Sequence, residues 1–412
     1  MVLNLASRMF MNLRSGSKKS ICPSYQLMID NNLMFHADKG LFAMLPLGQR
    51  VVDKLLRLVE RELLAIGAHK LEMPMLAPKH LWTKTDRWNA MGQELFRLTD
   101  RTGQEFCLQP TAEEMMTSIA SGYGRQKQSA FPMMFFQCSH KFRDEKSPKF
   151  ALLRSRQFLM NDLYSFDLDQ ESAENTYRVI TDVYEKILRD ILKLPNVYRI
   201  QADSGTIGGK ISHEYHVPSP SHADMVQLCR GCQHAYASSK LICDRCGGEN
   251  TCVDSVEVAH TFQLDSKYSE VFEAVSTSKV PYSMCCFGIG ITRLIAACVD
   301  ELSVSEKAMR LPYTISPFKL AVVMPKDPKD AKWQFTEQML QQLDMIPSLT
   351  DQIFVDDRCN KNVGFRLAEL NALGVPHILV SNSRKSDDPF GIFDLEYFRT
   401  SPCSDVLQES GR

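Results

Sequence analysis

Two common phosphate cradles are missing from this chain. Neither a GxxxxGK[ST] loop nor a GxGxxG turn occurs, so a bound nucleotide has to be held without a glycine-rich loop opening onto a helix. Long apolar runs are missing too. None reaches the roughly 18 residues that a membrane-crossing helix needs. No sign of charge prevails: 48 Lys and Arg stand against 49 Asp and Glu, a net charge of −1, so any nucleic-acid contact must come from local patches. Acids are absent from the start of the chain. Arg8, Arg14, Lys18 and Lys19 all precede the first acid, Asp30, with Leu3, Leu5, Met9, Phe10 and Leu13 among them. That composition is expected of a matrix-targeting presequence, and a disordered basic arm over 1–29 shares it.

What is present describes an ordinary globular protein. A chain of 412 residues that is 44% apolar and 24% charged has room for two or three domains with ample core. Its 13 cysteines do not form the dense pattern of a secreted disulfide scaffold, and their scatter fits a reducing compartment. Four of them stand apart. Cys229-Arg230-Gly231-Cys232 and Cys243-Asp244-Arg245-Cys246 give CxxC, ten residues, CxxC. Four thiolates on two glycine-supported turns suit a closed tetrahedral zinc site of structural kind. Four free thiols in a hairpin is the competing reading, and Cys252 and His234 are spare candidates.

Periodicity divides the chain. Val51, Val52, Leu55, Leu56, Val59, Leu63 and Ile66 fall at helical spacing, with Gly67 placed to end the helix. Residues 131–143 and 150–162 read as two paired strands around a short charged loop, Asp144–Lys149. A long amphipathic helix is expected over 171–193. Residues 281–300 read as strand, glycine turn and helix. After a proline-bearing linker, 318–380 alternates strand and helix in a βαβαβ rhythm. The expected fold is α+β, followed by a small α/β domain.

The motifs then point to a family. Leu45-Pro46-Leu47-Gly48, Arg87-Trp88, Glu94 to Leu98, Pro110-Thr111-Ala112-Glu113-Glu114 and Lys141-Phe142-Arg143-Asp144-Glu145 occur in order. So do Phe158 to Phe166, Ser212-His213-Glu214, His260 to Leu264 and Gly288-Ile289-Gly290-Ile291-Thr292-Arg293. In this ordered set, over about residues 30–400, the chain resembles a class II aminoacyl-tRNA synthetase, and within that class a prolyl-tRNA synthetase of the bacterial and mitochondrial kind. The resemblance implies a class II antiparallel-sheet catalytic domain over 30–312, with a short Cys-rich insertion at 215–256, and an anticodon-binding domain over 313–412. It implies ATP with Mg2+, L-proline and tRNA(Pro) as ligands, a mitochondrial matrix location, and a C2 homodimer whose interface lies around residues 50–75.

The resemblance also implies residue roles. Arg143 would bridge the substrate carboxylate and the α-phosphate as a planar fork. Glu145 would accept from the adenine amino group and Phe158 would stack on the ring. Gly290 and Arg293 would meet the γ-phosphate, with Glu257 near the metal. Thr111 and Glu113 would take the two N–H donors of a secondary ammonium, and His260 would line the amino-acid pocket. Arg358, Lys361 and Arg366 are expected to meet tRNA. Departures from the family pattern are Ala112 for a histidine, Gln157 for a glutamate, and Gln109 and Asp265 for glycines; Ala112 is expected to remove a polar group near the substrate. The insertion is too short for the editing domain that bacterial relatives often carry, so hydrolysis of mischarged alanyl-tRNA is not expected. Two rivals are a threonyl or seryl enzyme of the same fold and a non-enzymatic relative. A threonyl enzyme would want a catalytic zinc that the polar side chains of this chain do not supply, and the non-enzymatic relative would be expected to lose Arg143, Glu145 or Arg293.

Overall fold

The computed structural model describes residues 4–9, 22–237 and 242–381. These divide into two compact units: residues 36–43 and 52–301 in one, the remainder in the other. Arg14, Lys18 and Lys19 of the expected presequence, and the chain after residue 381, lie outside the described residues.

The larger unit is built on a nine-stranded sheet. Its strands are β1 (His69–Lys70), β2 (Met133–Phe142), β3 (Gln157–Asp167), β4 (Tyr198–Gln201), β5 (Ile211–Pro218), β6 (Asp224–Cys229), β7 (Ala235–Tyr236), β8 (Asn250–Asp265) and β9 (Ser283–Gly290). The main path runs β4-β5-β8-β9-β3-β2-β1, with β6 paired to β8 and β7. Every pair is antiparallel except β1 with β2. The two strands expected around Asp144–Lys149 are β2 and β3, in register from Met133↔Phe166 to Phe142↔Gln157; the second begins at Gln157 rather than residue 150, because Ala151–Leu153 forms a 3-10 turn first.

Three helices matter to the site or its support. Helix α1 (Glu113–Gly122) opens with two acids, which suits the positive end of its dipole. Helix α2 (Gln170–Glu185) is capped by Asp169 accepting from Ser172 N–H and runs into a wider turn over Lys186–Ile191. The expected helix over 171–193 is thus present, with its apolar face buried at Ile180, Val183, Tyr184 and Ile187. Helix α3 (Ile291–Leu302) follows β9 directly. Tyr164, Phe166, Phe262, Tyr268, Tyr282 and Met284 form an aromatic core with Ala112 and Met116 of the α1 end.

One strand feature could not be read from spacing. Between Tyr215 and His216 of β5, the partner on β8 moves from Ala259 to Glu257, so Val258 is an extra residue. On a regular strand Glu257 and His260, three apart, face opposite sides. The bulge puts both on the face that Glu214 and His216 share, because cross-strand partners point the same way.

The smaller unit holds a four-stranded parallel sheet. Its order is Asn4–Leu5, β11 (Ile353–Asp356), β10 (Leu320–Val323), β12 (His377–Val380). Helices α4 (Ala331–Asp344) and α5 (Val363–Leu373) supply the connections, and α5 is capped by Asn362 and ended by Gly374 in the left-handed region. This is the expected βαβαβ order with one addition. Asn4↔Phe354 and Leu5↔Val355 pair in parallel, Leu5 packs on the β10–β11 core, and Ser7 N–H donates to Asp357 at 2.9 Å.

Arg366 is corrected here. It is fully buried and donates to the carbonyls of Met324 (2.9 Å) and Asp356 (3.1 Å). A guanidinium tying two strand ends together cannot reach a tRNA phosphate. Arg358 is bound by Asp356 (2.6 Å) and Glu369 (2.7 Å), whereas Lys361 lies 5.0 Å over the ring of half-exposed Phe365.

Candidate active site

A cleft of about 290 Å³ opens on the larger unit and is lined by several stretches of chain, among them Arg87, Met91 and Glu94 and the loop 203–207. The start of α1 supplies Thr111 and Glu113. The β2–β3 pair supplies Arg143, Phe158, Asp162 and Tyr164. Strands β5 and β8 supply Glu214, Glu257 and His260, and the β9–α3 junction supplies Gly290 and Arg293. Every residue expected to meet ATP or proline lines this cleft except Glu145. That residue sits on the loop beyond Arg143, with one oxygen on Arg154 Nε (2.9 Å) and the other accepting from Ser147 N–H (3.3 Å). Partial burial pushes its carboxyl up, but the Arg154 and Ser147 bonds and the charges of Arg154 and Arg143 together hold it below the ordinary range.

The deep end is closed by ion pairs. Arg87 is 2% exposed and places Nη1 at 2.9 Å from Glu113 and 3.0 Å from Glu114. Its guanidinium lies 4.9 Å over Trp82 and 5.8 Å over Tyr268. Thr111 Oγ1 donates to both oxygens of Glu113 (2.7 and 2.9 Å), which leaves the hydroxyl's lone pairs for a donor in the cleft. Burial raises both carboxyls. For Glu113 the Arg87 charge and the Thr111 bond win, and it lies below the ordinary range. For Glu114 the Glu113 charge adds to burial, and it lies above.

A second network fixes the entry to α1 at Ala112. Tyr164 donates to Asp162 (2.9 Å) and accepts from the Ala112 N–H (2.9 Å), while Lys141 pairs with Asp162 at 3.0 Å, all buried. Ala112 is fully buried among Met116, Tyr164 and Met73 and is not part of the cleft wall. The expectation that it removes a polar group beside the substrate is therefore corrected: its methyl is core.

The shallow end is cationic. Arg143 lies 5.3 Å over the Phe158 ring, and its guanidinium makes no hydrogen bond to any described residue. Burial, then the charge of Arg293, pull its pKa down from the ordinary guanidinium value. Arg293 donates to the Glu257 carbonyl at 3.0 Å and lies 3.5 Å from its carboxylate. His260 stacks on Phe262 at 4.0 Å, and its ring nitrogens meet Ser212 Oγ and Glu257 Oε1 (3.2 Å). Burial raises the Glu257 carboxyl, but the His260 bond and the Arg293 and Arg143 charges bring it to about 2. Glu214, Glu257 and His260 offer ligand atoms within 4.8 Å of one another, a set rich in the hard oxygens that magnesium prefers.

Arg87, Glu114, Asp162 and Glu214 stand in the family motifs, but the sequence by itself gives them no part in the site. Nothing in the sequence sets Arg87 apart from Lys84 in the same polar Trp82–Trp88 segment. The partners of Arg87 lie 26 and 27 positions away, and spacing does not identify them.

Comparison with known proteins agrees with this geometry. A family model of the class II tRNA synthetase core domain (G, H, P, S and T) matches residues 96–302. The probable mitochondrial proline–tRNA ligase of Homo sapiens is 36% identical over 94% of this chain and 83% of its own length. The probable mitochondrial proline–tRNA ligase of Schizosaccharomyces pombe is 34% identical over 88% and 86%. Among solved structures, Giardia lamblia prolyl-tRNA synthetase in complex with prolyl-adenylate superposes with a TM-score of 0.70 at 19% identity, over 87% of this chain and 69% of that one; that likeness speaks for the fold. By its core domain and its relatives, the chain belongs to the proline–tRNA ligase family of class II aminoacyl-tRNA synthetases.

Proposed function

We propose that the cleft condenses L-proline with ATP to prolyl-adenylate and pyrophosphate, and then passes the prolyl group to the terminal adenosine of tRNA(Pro). The observation that carries this reading is Arg143: a desolvated guanidinium on an aromatic ring, with no protein partner among the described residues, between an ammonium-sized acidic pocket and a second arginine. In the first step a proline carboxylate oxygen attacks the α-phosphorus and pyrophosphate leaves. Little proton transfer is needed, so positioning and cationic stabilisation do the catalysis. Arg143 holds the carboxylate and α-phosphate together, and Arg293 takes the outer phosphates beside Gly290. Phe158 carries the adenine, and Glu145 keeps free acceptor lone pairs for its amino group. Glu257 and Glu214 are the carboxylates for Mg2+, which neutralises phosphate charge when bound. Thr111 Oγ1 and Glu113 accept the two imino N–H donors. His260 walls the pocket.

Three finer points belong to the same proposal. The site is mitochondrial, on the basic, acid-free start of the chain and the mitochondrial relatives. The enzyme works as a homodimer and presents exposed Leu64, Met75 and Leu76 near the expected interface. It has no editing activity in cis, since 215–256 is spent on extending β5 and β8 and on β6 and β7. A pocket that excludes alanine only by two absent ring carbons discriminates by about 1–3 kcal/mol for each. The unit 313–412 meets the anticodon arm, with Lys361 among its surface cations.

ATP–pyrophosphate exchange with proline, alanine, threonine and serine tests the reaction. Exchange with proline and a weak alanine signal is expected. Exchange with threonine or serine alone would overturn the substrate, and none from folded protein would overturn the activity. Rapid release of alanine from alanyl-tRNA by this chain would refute the editing claim.

A further inference from the structure

Outside the cleft, one cluster of reactive side chains is built to a pattern the ligase reaction does not use. We propose that Cys229, Cys232, Cys243 and Cys246 bind one Zn2+ as a closed tetrathiolate site that clamps the β6–β8 strand pair.

The four sulfurs lie within 4.8 Å of one another. Contacts run between the two turns: Cys229 Sγ to Cys246 Sγ is 3.4 Å and Cys232 Sγ to Cys243 Sγ is 3.8 Å. A tetrahedral zinc with bonds of about 2.3 Å requires sulfur–sulfur edges of about 3.8 Å. Disulfides need about 2.05 Å, and all four cysteines are free thiols.

The two turns share one backbone pattern. Cys229 N–H donates to His234 O, five residues on, and Gln233 N–H donates back to Cys229 O (both 3.0 Å). Cys243 N–H donates to Gly248 O, also five on, and Gly247 N–H donates back to Cys243 O (both 2.8 Å). Amides point at sulfur in each: Gly231 N–H (3.3 Å) and Cys232 N–H (3.5 Å) at Cys229, Arg245 N–H (3.4 Å) at Cys243. Such donors favour thiolate over thiol, the form a metal binds. Glycine is needed at the crossing, where a Cβ on Gly248 would lie 3.1 Å from Cys229 Sγ and 3.3 Å from Cys246 Sγ. Matched turns aimed at one point by separate stretches of chain are not required by a hairpin of idle thiols. Neither spare candidate joins the four.

Its position gives the clamp a purpose. Cys229 is the last residue of β6 and pairs with Asn250, the first of β8. From there β8 runs to Glu257 and His260, and Asp224 at the other end of β6 accepts from the Glu257 N–H at 3.3 Å. Apart from Val226 and its small cluster with Ile200 and Ala235, little apolar burial holds this end. A bond network to one metal replaces that missing core.

Metal content of the purified full chain is the first test, with cobalt substitution as the spectroscopic one. One zinc per chain is expected, and cobalt loading should give the intense visible bands of a tetrahedral thiolate. Cys232→Ser and Cys246→Ser, at the two exposed positions, should each lose most of the metal, while Cys252→Ser keeps it. Absence of stoichiometric metal with four thiols open to titration, recovery of the four as disulfides, or full metal in the Cys232→Ser/Cys246→Ser double variant would each overturn the proposal. The wild-type content and cobalt spectrum decide it even where a variant fails to fold.

Discussion

The two ends of the cleft solve opposite electrostatic problems. At the deep end, Arg87, Glu113 and Glu114 are almost wholly buried and pair with one another before any ligand arrives. At the shallow end, Arg143 has a ring beneath it and no hydrogen-bonding partner among the described residues, with Arg293 close by. The first end is part of the fold. The second leaves the Arg143 guanidinium without a hydrogen-bonding partner among the described residues, set to receive an anion. Buried ion pairs are strongly destabilising to break because the survivor is left desolvated, whereas an unpaired cation in a cleft costs stability and repays it only on binding. The same residue type therefore has two duties in one pocket, and substitution separates them.

The sharpest separation is at Arg143. Arg143→Ala should lower kcat/KM for pyrophosphate exchange by about 10³-fold, the upper range for losing one electrostatic donor, while thermal stability holds or rises. A fall in stability with little change in rate would mean that Arg143 is a structural residue and would dissolve the contrast.

Arg87→Met is the mirror experiment. Removing one partner of a buried pair costs about 3–5 kcal/mol, so soluble protein should melt well below wild type, with any residual activity lost mainly through proline KM. Wild-type stability in this variant would show that Glu113 and Glu114 do not depend on the guanidinium.

How much of this was legible beforehand follows from the range of each interaction. The β2–loop–β3 unit and the β9–α3 junction are local, and alternation with a glycine turn is enough to place Arg143, Phe158, Gly290 and Arg293. Glu257 and His260 are close in sequence, but their shared face depends on the Val258 bulge, a property of the pairing with β5. Arg366 read as a surface charge because a helix pattern does not reveal which carbonyls a long side chain will reach. Asn4–Leu5 read as presequence or arm because a two-residue parallel strand has no signature of its own; its register comes from the β11 edge.

The deep end also predicts a pH dependence. Glu114 lies above the ordinary carboxyl range and Glu113 below it. As pH falls through the raised Glu114 value, that group takes up a proton. The one remaining carboxylate is then balanced by Arg87, and no net negative charge is left for an imino cation. Proline KM should rise on the acid side, by about tenfold per pH unit at most for one proton. Glu114→Gln should flatten the profile at a uniformly higher KM. An unchanged acid limb in that variant would assign the titration to another group.

The smallest effect is expected where the two ends meet the core. Ala112 stands where relatives of this kind usually carry histidine, next to the two residues assigned to the imino group, and that position alone invites a role in substrate binding. The structure puts its methyl among Met73, Met116 and Tyr164 and gives its N–H to the Tyr164 hydroxyl. Ala112→Gly keeps that backbone bond and the helix entry, since glycine is accepted at an N-cap. Only the methyl is lost, about 1 kcal/mol of packing. Proline KM should stay within about twofold because nothing that faces the cleft changes. A larger rise in KM with unaltered stability would mean that the Thr111–Glu113 turn is tuned by the bulk behind it, so that the deep end binds through its backing as well as its charges.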